Sequence, residues 1–338
     1  MKIEEYVPLA PFTTFNIGGP ARFFIEAKTA KDVGDTIIFA RQQGLSLFVL
    51  GEGSNVLVPD AGIEGVVLKI GIRDIEIEEN NERILLHAGA GTSWNDVVDT
   101  VGARGIFGIE NLADIPGTVG GAIVQNIGAY GAELSHVFDH ADVIDSRTGV
   151  ERSVDTTEAS FGYRTSFFKE HRDQIITHVT LVFTTHAEPS ITYTDLVHAQ
   201  ADGAPLTTPV EIAYTVRAIR AGKFPRNSVE GTAGSFFKNP IIGAKLFQDL
   251  GKRFPGLPGF PQENGTVKIS LAWLLDHALG LKGFAKGPVR LYENQPIVIV
   301  ARTGANARDI NAFANEIAEK VFVATTIRIE REVETFGA

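Results

Sequence analysis

The sequence predicts an α+β protein of more than one domain, on three observations. The chain has 338 residues, enough at about 150 residues per domain for two or three domains and a sizeable core. Strand and helix patterns alternate unevenly over residues 1–145, which suits α+β better than a strict βαβ winding. A stretch rich in Pro, Thr and Asp at 188–209 is the nearest thing to a linker, and a segment with further helices follows it.

Taken in order, residues 22–27 read as a strand and 31–43 as an amphipathic helix, with Val33, Ile37 and Ala40 near helical spacing. Residues 46–50 form a strand that runs into a glycine loop. Further strands fall at 65–70 and 83–88, and Ser93 is expected to cap a helix at 93–101. Glycines are dense from 105 to 131. Thr208, Pro209 and Glu211 give a capping-box start with proline at the first helical position. On that helix Arg217, Arg220 and Lys223 share a face. They read as a solvated face that complements the helix dipole, or as a local cationic surface. Helices are expected at 243–250, at 271–279 behind Ser270, and at 306–321 with Ile310, Phe313, Ile317 and Val321 inward. An apolar strand at 296–301 lies before the last helix, and a strand at 326–333 closes the chain.

Composition excludes several classes. The net charge of −10 argues against a general nucleic-acid binder, which needs excess cations to displace counterions from phosphates. There is no cysteine, so disulfides, thiolate metal sites and a cysteine nucleophile are ruled out. No His or Asp cluster has ligand spacing, and no metal is expected. The N-terminus lacks the order of a signal peptide, and no apolar run approaches the roughly 20 residues that span a bilayer. A soluble, cytoplasmic, monomeric protein is expected.

Two glycine segments carry the first functional signal. In Leu50-Gly-Glu-Gly-Ser-Asn-Val-Leu57, Gly51 and Gly53 permit positive φ and a close ligand approach, while Ser54 and Asn55 add donors. In Ile115-Pro-Gly-Thr-Val-Gly-Gly-Ala122, Gly117, Gly120 and Gly121 leave backbone amides open to a pyrophosphate. Neither is a Walker A loop or a clean Gly-x-Gly-x-x-Gly, and two tight turns without a ligand remain the bland alternative.

These loops, with Thr14-Phe-Asn-Ile-Gly-Gly19 and the run to Gly131, resemble the FAD-binding domain shared with the vanillyl-alcohol oxidase group of flavoenzymes. The fuller set is Phe161-Gly-Tyr-Arg164, Arg220-x-x-Lys223, Gly234-Ser-Phe-Phe-Lys-Asn-Pro240, Glu293-Asn-Gln295 and Glu330-Arg-Glu-Val333. It resembles the UDP-N-acetylenolpyruvoylglucosamine reductase family, and Tyr193 in Ile191-Thr-Tyr-Thr-Asp-Leu196 resembles its longer, Tyr-bearing subgroup.

The resemblance implies a two-lobed FAD-binding domain and a C-terminal α+β substrate domain. Its first lobe is placed at 1–66, with 324–338 returning to it. The second is placed at 67–225, including a substrate loop at 188–209, and the C-terminal domain at 226–323. Non-covalent FAD is implied at Asn16, Gly18, Gly51, Gly53, Ser54, Asn55, Pro116, Gly117, Thr118, Gly120, Gly121, Asn126, Gly128 and Ala129. The implied substrates are NADPH and UDP-N-acetylglucosamine enolpyruvate, with Tyr163, Tyr193, Arg220, Lys223, Lys238, Asn239 and Gln295 as substrate contacts. The catalytic residues it implies are Arg164 for the carboxylate, Ser235 as proton donor, and Glu332 beside Arg164. Without the resemblance Ser235 reads as a turn residue. Glu330, two residues from Glu332 and on the same face of a regular strand, competes with it. The family's arginine after Glu-Val is replaced here by Glu334.

Overall fold

Local signals decide the helix ends. The side chain of Thr29 accepts from Asp32 N, Asp32 answers at the Thr29 amide, and Gly44 at φ 63° closes the helix Ala30–Gln43. The helix Ala307–Thr325 starts on the same reciprocal pair, Asn306 and Asp309. Pro209–Lys223 begins with Thr208 and Glu211 bonded to each other's amides, as the sequence predicts. The computed structural model describes residues 1–80, 82–225 and 230–337; the domain boundary expected at 226 lies outside the described residues.

The chain forms two compact units. One holds Met1–Val7, Ala21–Glu52 and Ile63–Ala221; the other holds Pro8–Pro20, Gly53–Gly62 and Gly222–Ala338. Residues 8–20 and 53–62, expected within the first lobe, thus pack with the C-terminal part. There Thr232 N donates to Thr14 O, and Phe15 meets Phe236 edge to face.

The first unit carries two sheets. In one, Leu47–Leu50 and Pro20–Ala27 run parallel to Ile63–Ile70 on either side, and Ile3–Pro8 lies at the edge. In the other, five antiparallel strands lie in the order Glu151–Asp155, Phe138–Asp145, Gln174–Thr184, Arg83–Gly89 and Ile75–Asn80. The helices Trp94–Ala103 and Val119–Gln125 share this unit's main core, in which Trp94, Val97, Val119 and Ile123 are fully buried. The second unit is built round Ala307–Thr325, with the short sheet Ala285–Lys286, Val289–Leu291 and Ile299–Ala301 and a second three-stranded sheet.

Four expectations need correction. Ser93 makes no side-chain cap. Its backbone bridges Thr118 and Trp94 N donates to Gly117 O, so this helix is started by the glycine segment. The stretch 188–209 contains the helix Thr194–Ala201, anchored by fully buried Leu196. The helix expected at 271–279 is helical only to Trp273 and then widens into a π-helical turn, Leu274–Ala278. No regular strand forms over 326–333. Thr326 takes a left-handed conformation at φ 63°, and the chain then makes one isolated bridge, Phe237 to Arg331, before Glu334–Thr335 pairs with Val56–Leu57.

Candidate functional site

In the first unit the two glycine segments meet. A Cβ on Gly51 would sit 2.9 Å from Thr118 Oγ1, closer than such atoms come, so glycine is what lets the segments touch. Thr118 caps Val119–Gln125 through a bond from Gly121 N at 3.3 Å. The amide of Gly120 is donated to Ala90 O at 2.9 Å. Gly120 and Gly121 therefore commit their N–H groups inside the protein, contrary to the reading that leaves them open to phosphate. Their contribution is a bare surface: Gly121 is exposed and Gly117 stands at φ 128°.

Arg164 sits at the tip of a two-residue turn. Gly162 and Thr165 exchange both backbone bonds (3.0 and 3.2 Å), leaving Tyr163-Arg164 to make the bend, with Arg164 at φ 56°. A non-glycine residue there is uncommon and persists only where its surroundings hold it. They do: Nη2 donates to Gly128 O at 2.6 Å, Nη1 reaches Asn126 O at 3.4 Å, and the guanidinium lies 5.3 Å from the Tyr163 ring centre. Lys169 ties the Arg164 carbonyl to the Gln125 side chain. Asn126 is 1 % exposed, and its amide joins Gly162 O to Ser135 N. It therefore braces the turn, a role different from the cofactor contact inferred from sequence.

Beside this lies a cluster the sequence reading did not assemble. The Tyr193 ring meets that of Tyr130 edge to face at 5.2 Å, and Tyr130 bonds Arg220. Arg220 is 11 % exposed and donates from Nε to Asp114 O at 3.1 Å. Burial lowers its pKa below the ordinary arginine value. Burial likewise pushes the Tyr130 phenol up to about 12, so it stays neutral at physiological pH. Arg217 instead pairs with Asp99 at 2.6 Å, so Arg217 and Arg220 engage different carboxylates.

In the second unit Ser235 follows Gly234, which stands at φ 72°. Its segment is fastened by backbone bridges from Gly231 to Ala301, Ser235 to Val298 and Phe237 to Arg331, with Phe236 and Phe237 buried directly after Ser235. Gln295 accepts at its carbonyl from Val298 N, which places its turn next to the partner of Ser235. Asn239 Oδ1 accepts from Leu271 N at 3.0 Å. Glu330 and Glu332 separate clearly. Glu330 is 74 % exposed and pairs with Lys238 at 3.1 Å, whereas Glu332 is half-buried. The Glu332 backbone is held at both ends, its amide on Phe236 O and its carbonyl on Asn55 Nδ2. Behind this segment Arg290 bonds both Glu230 and Glu293. The left-handed positions Asn16 (φ 57°), Gly18 (φ 140°) and Gly53 (φ 64°) belong to this unit too. No group of three or more His, Asp or Glu among the described residues could hold a metal ion. No described helix is long and apolar enough to cross a membrane.

Glycine turns in contact, a surface free of bulky side chains and a guanidinium fixed at their edge fit a dinucleotide cofactor. Residues 21–154 match the family described as FAD binding domain, so this is a flavoprotein. Residues 225–336 match the C-terminal domain of UDP-N-acetylenolpyruvoylglucosamine reductase. The UDP-N-acetylenolpyruvoylglucosamine reductase of Pseudomonas aeruginosa is 37 % identical over 335 residues, 98 % of each chain. That of Escherichia coli O157:H7 is 36 % identical, over 98 % of this chain and 96 % of its own. The chain belongs to the UDP-N-acetylenolpyruvoylglucosamine reductase family and is an FAD-dependent oxidoreductase. The crystal structure of the Thermus caldophilus reductase has the same fold, with a TM-score of 0.69 at 24 % identity over 99 % of both chains.

Proposed function

We propose that this protein reduces the enolpyruvyl ether of UDP-N-acetylglucosamine enolpyruvate to UDP-N-acetylmuramate, at the expense of NADPH, for peptidoglycan precursor synthesis. The observation that carries the reading is the strained Tyr163-Arg164 turn, which fixes a guanidinium on the carbonyls of the glycine-rich segment. The two glycine segments would hold FAD non-covalently, and the chemistry it would supply there is hydride donation to C3 of the alkene. Arg164 binds the substrate carboxylate as a fork and stabilises the negative charge that spreads into it from C2. Ser235 delivers the proton to C2. A serine hydroxyl is a weak acid, so Lys223 and Lys238 are the candidates to support its alkoxide. Glu332 acts with Arg164 on the enolate. Tyr193, Arg220 and Lys223 hold the diphosphate, with Tyr193 as in the Tyr-bearing subgroup. Asn239 and Gln295 serve the uracil or sugar.

Anaerobic half-reactions test this. NADPH is expected to bleach the flavin, and the enolpyruvyl UDP-sugar to restore its colour. Ser235→Ala should keep the first step and lose the second; recolouring at the wild-type rate removes Ser235 from the role. Glu332→Gln should slow the second step, while Glu330→Gln should leave it near wild type.

A further inference from the structure

Asn111 has no place in the chemistry above, yet it is 1 % exposed and uses both of its N–H donors. One goes to the Tyr130 carbonyl and the other to the Ser190 carbonyl, each at 2.8 Å. Those carbonyls belong to two distant stretches. Tyr130 lies in the turn after Val119–Gln125, itself left-handed at φ 48°. Ser190 lies three residues before Tyr193, the residue at the start of the helix Thr194–Ala201. The rings of the two tyrosines meet edge to face, and Tyr130 is pinned in turn by Arg220. Asn111 Oδ1 is buried without a hydrogen-bond partner among the described residues. A buried acceptor left unpaired costs free energy, so the position is not optimised for stability alone. A side chain with two donors on one planar nitrogen is what two converging carbonyls require: aspartate would face them with oxygens only, and leucine would leave both unpaired.

We propose that Asn111 is a positioning residue for the UDP-sugar site, a clamp that holds the segment bearing Tyr193 against Tyr130 before substrate arrives. This rests on the proposed role of Tyr193 in holding the diphosphate. Without the clamp, the ordering of residues 188–196 is charged against substrate binding instead of being built into the fold. Asn111 therefore acts on the affinity for the UDP-sugar and leaves the reaction of NADPH with the flavin alone.

The test uses the holoenzyme. In Asn111→Ala, KM for the enolpyruvyl UDP-sugar should rise about tenfold, while flavin reduction by NADPH and kcat stay within about twofold, as expected for a loss of uniform binding. The rise should vanish when Asn111→Ala is made in a Tyr193→Ala background, because the clamp works through that side chain. An unchanged KM, or an equal rise in both backgrounds, overturns the proposal. Hydrogen exchange gives an independent readout, with Asn111→Asp as the variant that keeps the side-chain shape. Amides of 188–196 should exchange faster than in the wild type while the five-stranded sheet is unaffected; unchanged exchange there overturns the clamp. If the wild-type flavin is reduced by NADPH but never reoxidised by the UDP-sugar, the functional reading fails. The exchange experiment then still decides the clamp.

Discussion

Gly51→Ala is expected to weaken FAD binding through a contact that can be counted in tenths of an ångström. The added Cβ would lie 2.9 Å from Thr118 Oγ1, against at least 3.4 Å for ordinary contact, so 3.4 − 2.9 = 0.5 Å must be found. Thr118 cannot turn away freely, because its hydroxyl caps the following helix through Gly121 N and its backbone is bridged to Ser93. Either the segments part, at an overpacking cost of about 1–3 kcal/mol, or the cap is given up for about 1 kcal/mol. If the cofactor needs both segments in place, its Kd rises by roughly tenfold to a hundredfold. The assay is titration of apoprotein with FAD, read by quenching of flavin fluorescence, for wild type, Gly51→Ala, Thr118→Ala and the double variant. Removing Oγ1 removes the clash, so the double variant should bind FAD more tightly than the two single losses summed, by about 1 kcal/mol of coupling. Wild-type affinity in Gly51→Ala, or strictly additive losses, would refute the reasoning.

Gly231→Ala places its Cβ 1.9 Å from Phe15 O, a backbone atom that cannot step aside. It should lose about 3 kcal/mol or more in urea unfolding, whereas Gly234→Ala, which meets nothing within 4 Å, should lose only about 1 kcal/mol for its positive φ. Glu110, 4 % exposed and bonded to Gly108 N, has its pKa raised by burial. The folded protein thus binds that proton more tightly than the unfolded chain, and the stability this gives is lost as pH rises from the usual glutamate range through the raised pKa. The melting temperature of Glu110→Gln relative to wild type should therefore improve as pH rises from the usual glutamate range towards neutrality; a constant difference would contradict the assignment. Arg290→Met leaves Glu230 and Glu293 without their shared cation and should cost about 3 kcal/mol. Adding Glu230→Gln should recover part of that loss.

The sequence was most legible where structure is local. Periodicity placed the helices Ala30–Gln43 and Ala307–Thr325, and a capping pair the start of Pro209–Lys223, within a few residues, because these signals repeat or close within a turn or two. It was least legible where a residue's partner is remote. Ser93 looks like a cap but serves a bridge to Thr118. Asn126 looks like a ligand donor, yet its amide is consumed by Gly162 and Ser135. Polar loop composition at 188–209 hid the helix Thr194–Ala201, whose order depends on Leu196 entering a core assembled from elsewhere. The Asn111, Tyr130 and Arg220 cluster left no periodic trace, although Tyr130 stands inside the glycine-rich run that ends at Gly131.

Arg164, Ser235 and Glu332 share a property that explains why pattern alone could not find them. Each sits where the backbone leaves regular structure. Arg164 is itself left-handed, and Ser235 follows a left-handed glycine. Glu332 lies at a point where one carbonyl, Phe236 O, accepts from two successive amides, those of Glu332 and Val333. That doubled bond breaks the two-residue alternation of a strand. Glu330 and Glu332, which a regular strand would place on one face, end with one exposed on Lys238 and the other half-buried. Irregular backbone of this kind costs free energy and is kept only where neighbours over-determine it. The neighbours do so here: the bond to Gly128 O holds Arg164, two buried phenylalanines follow Ser235, and Asn55 holds the Glu332 carbonyl. The three proposed groups are therefore oriented by backbone geometry that hydropathy and periodicity do not encode, and a motif spanning the whole chain was the only sequence signal able to mark all three.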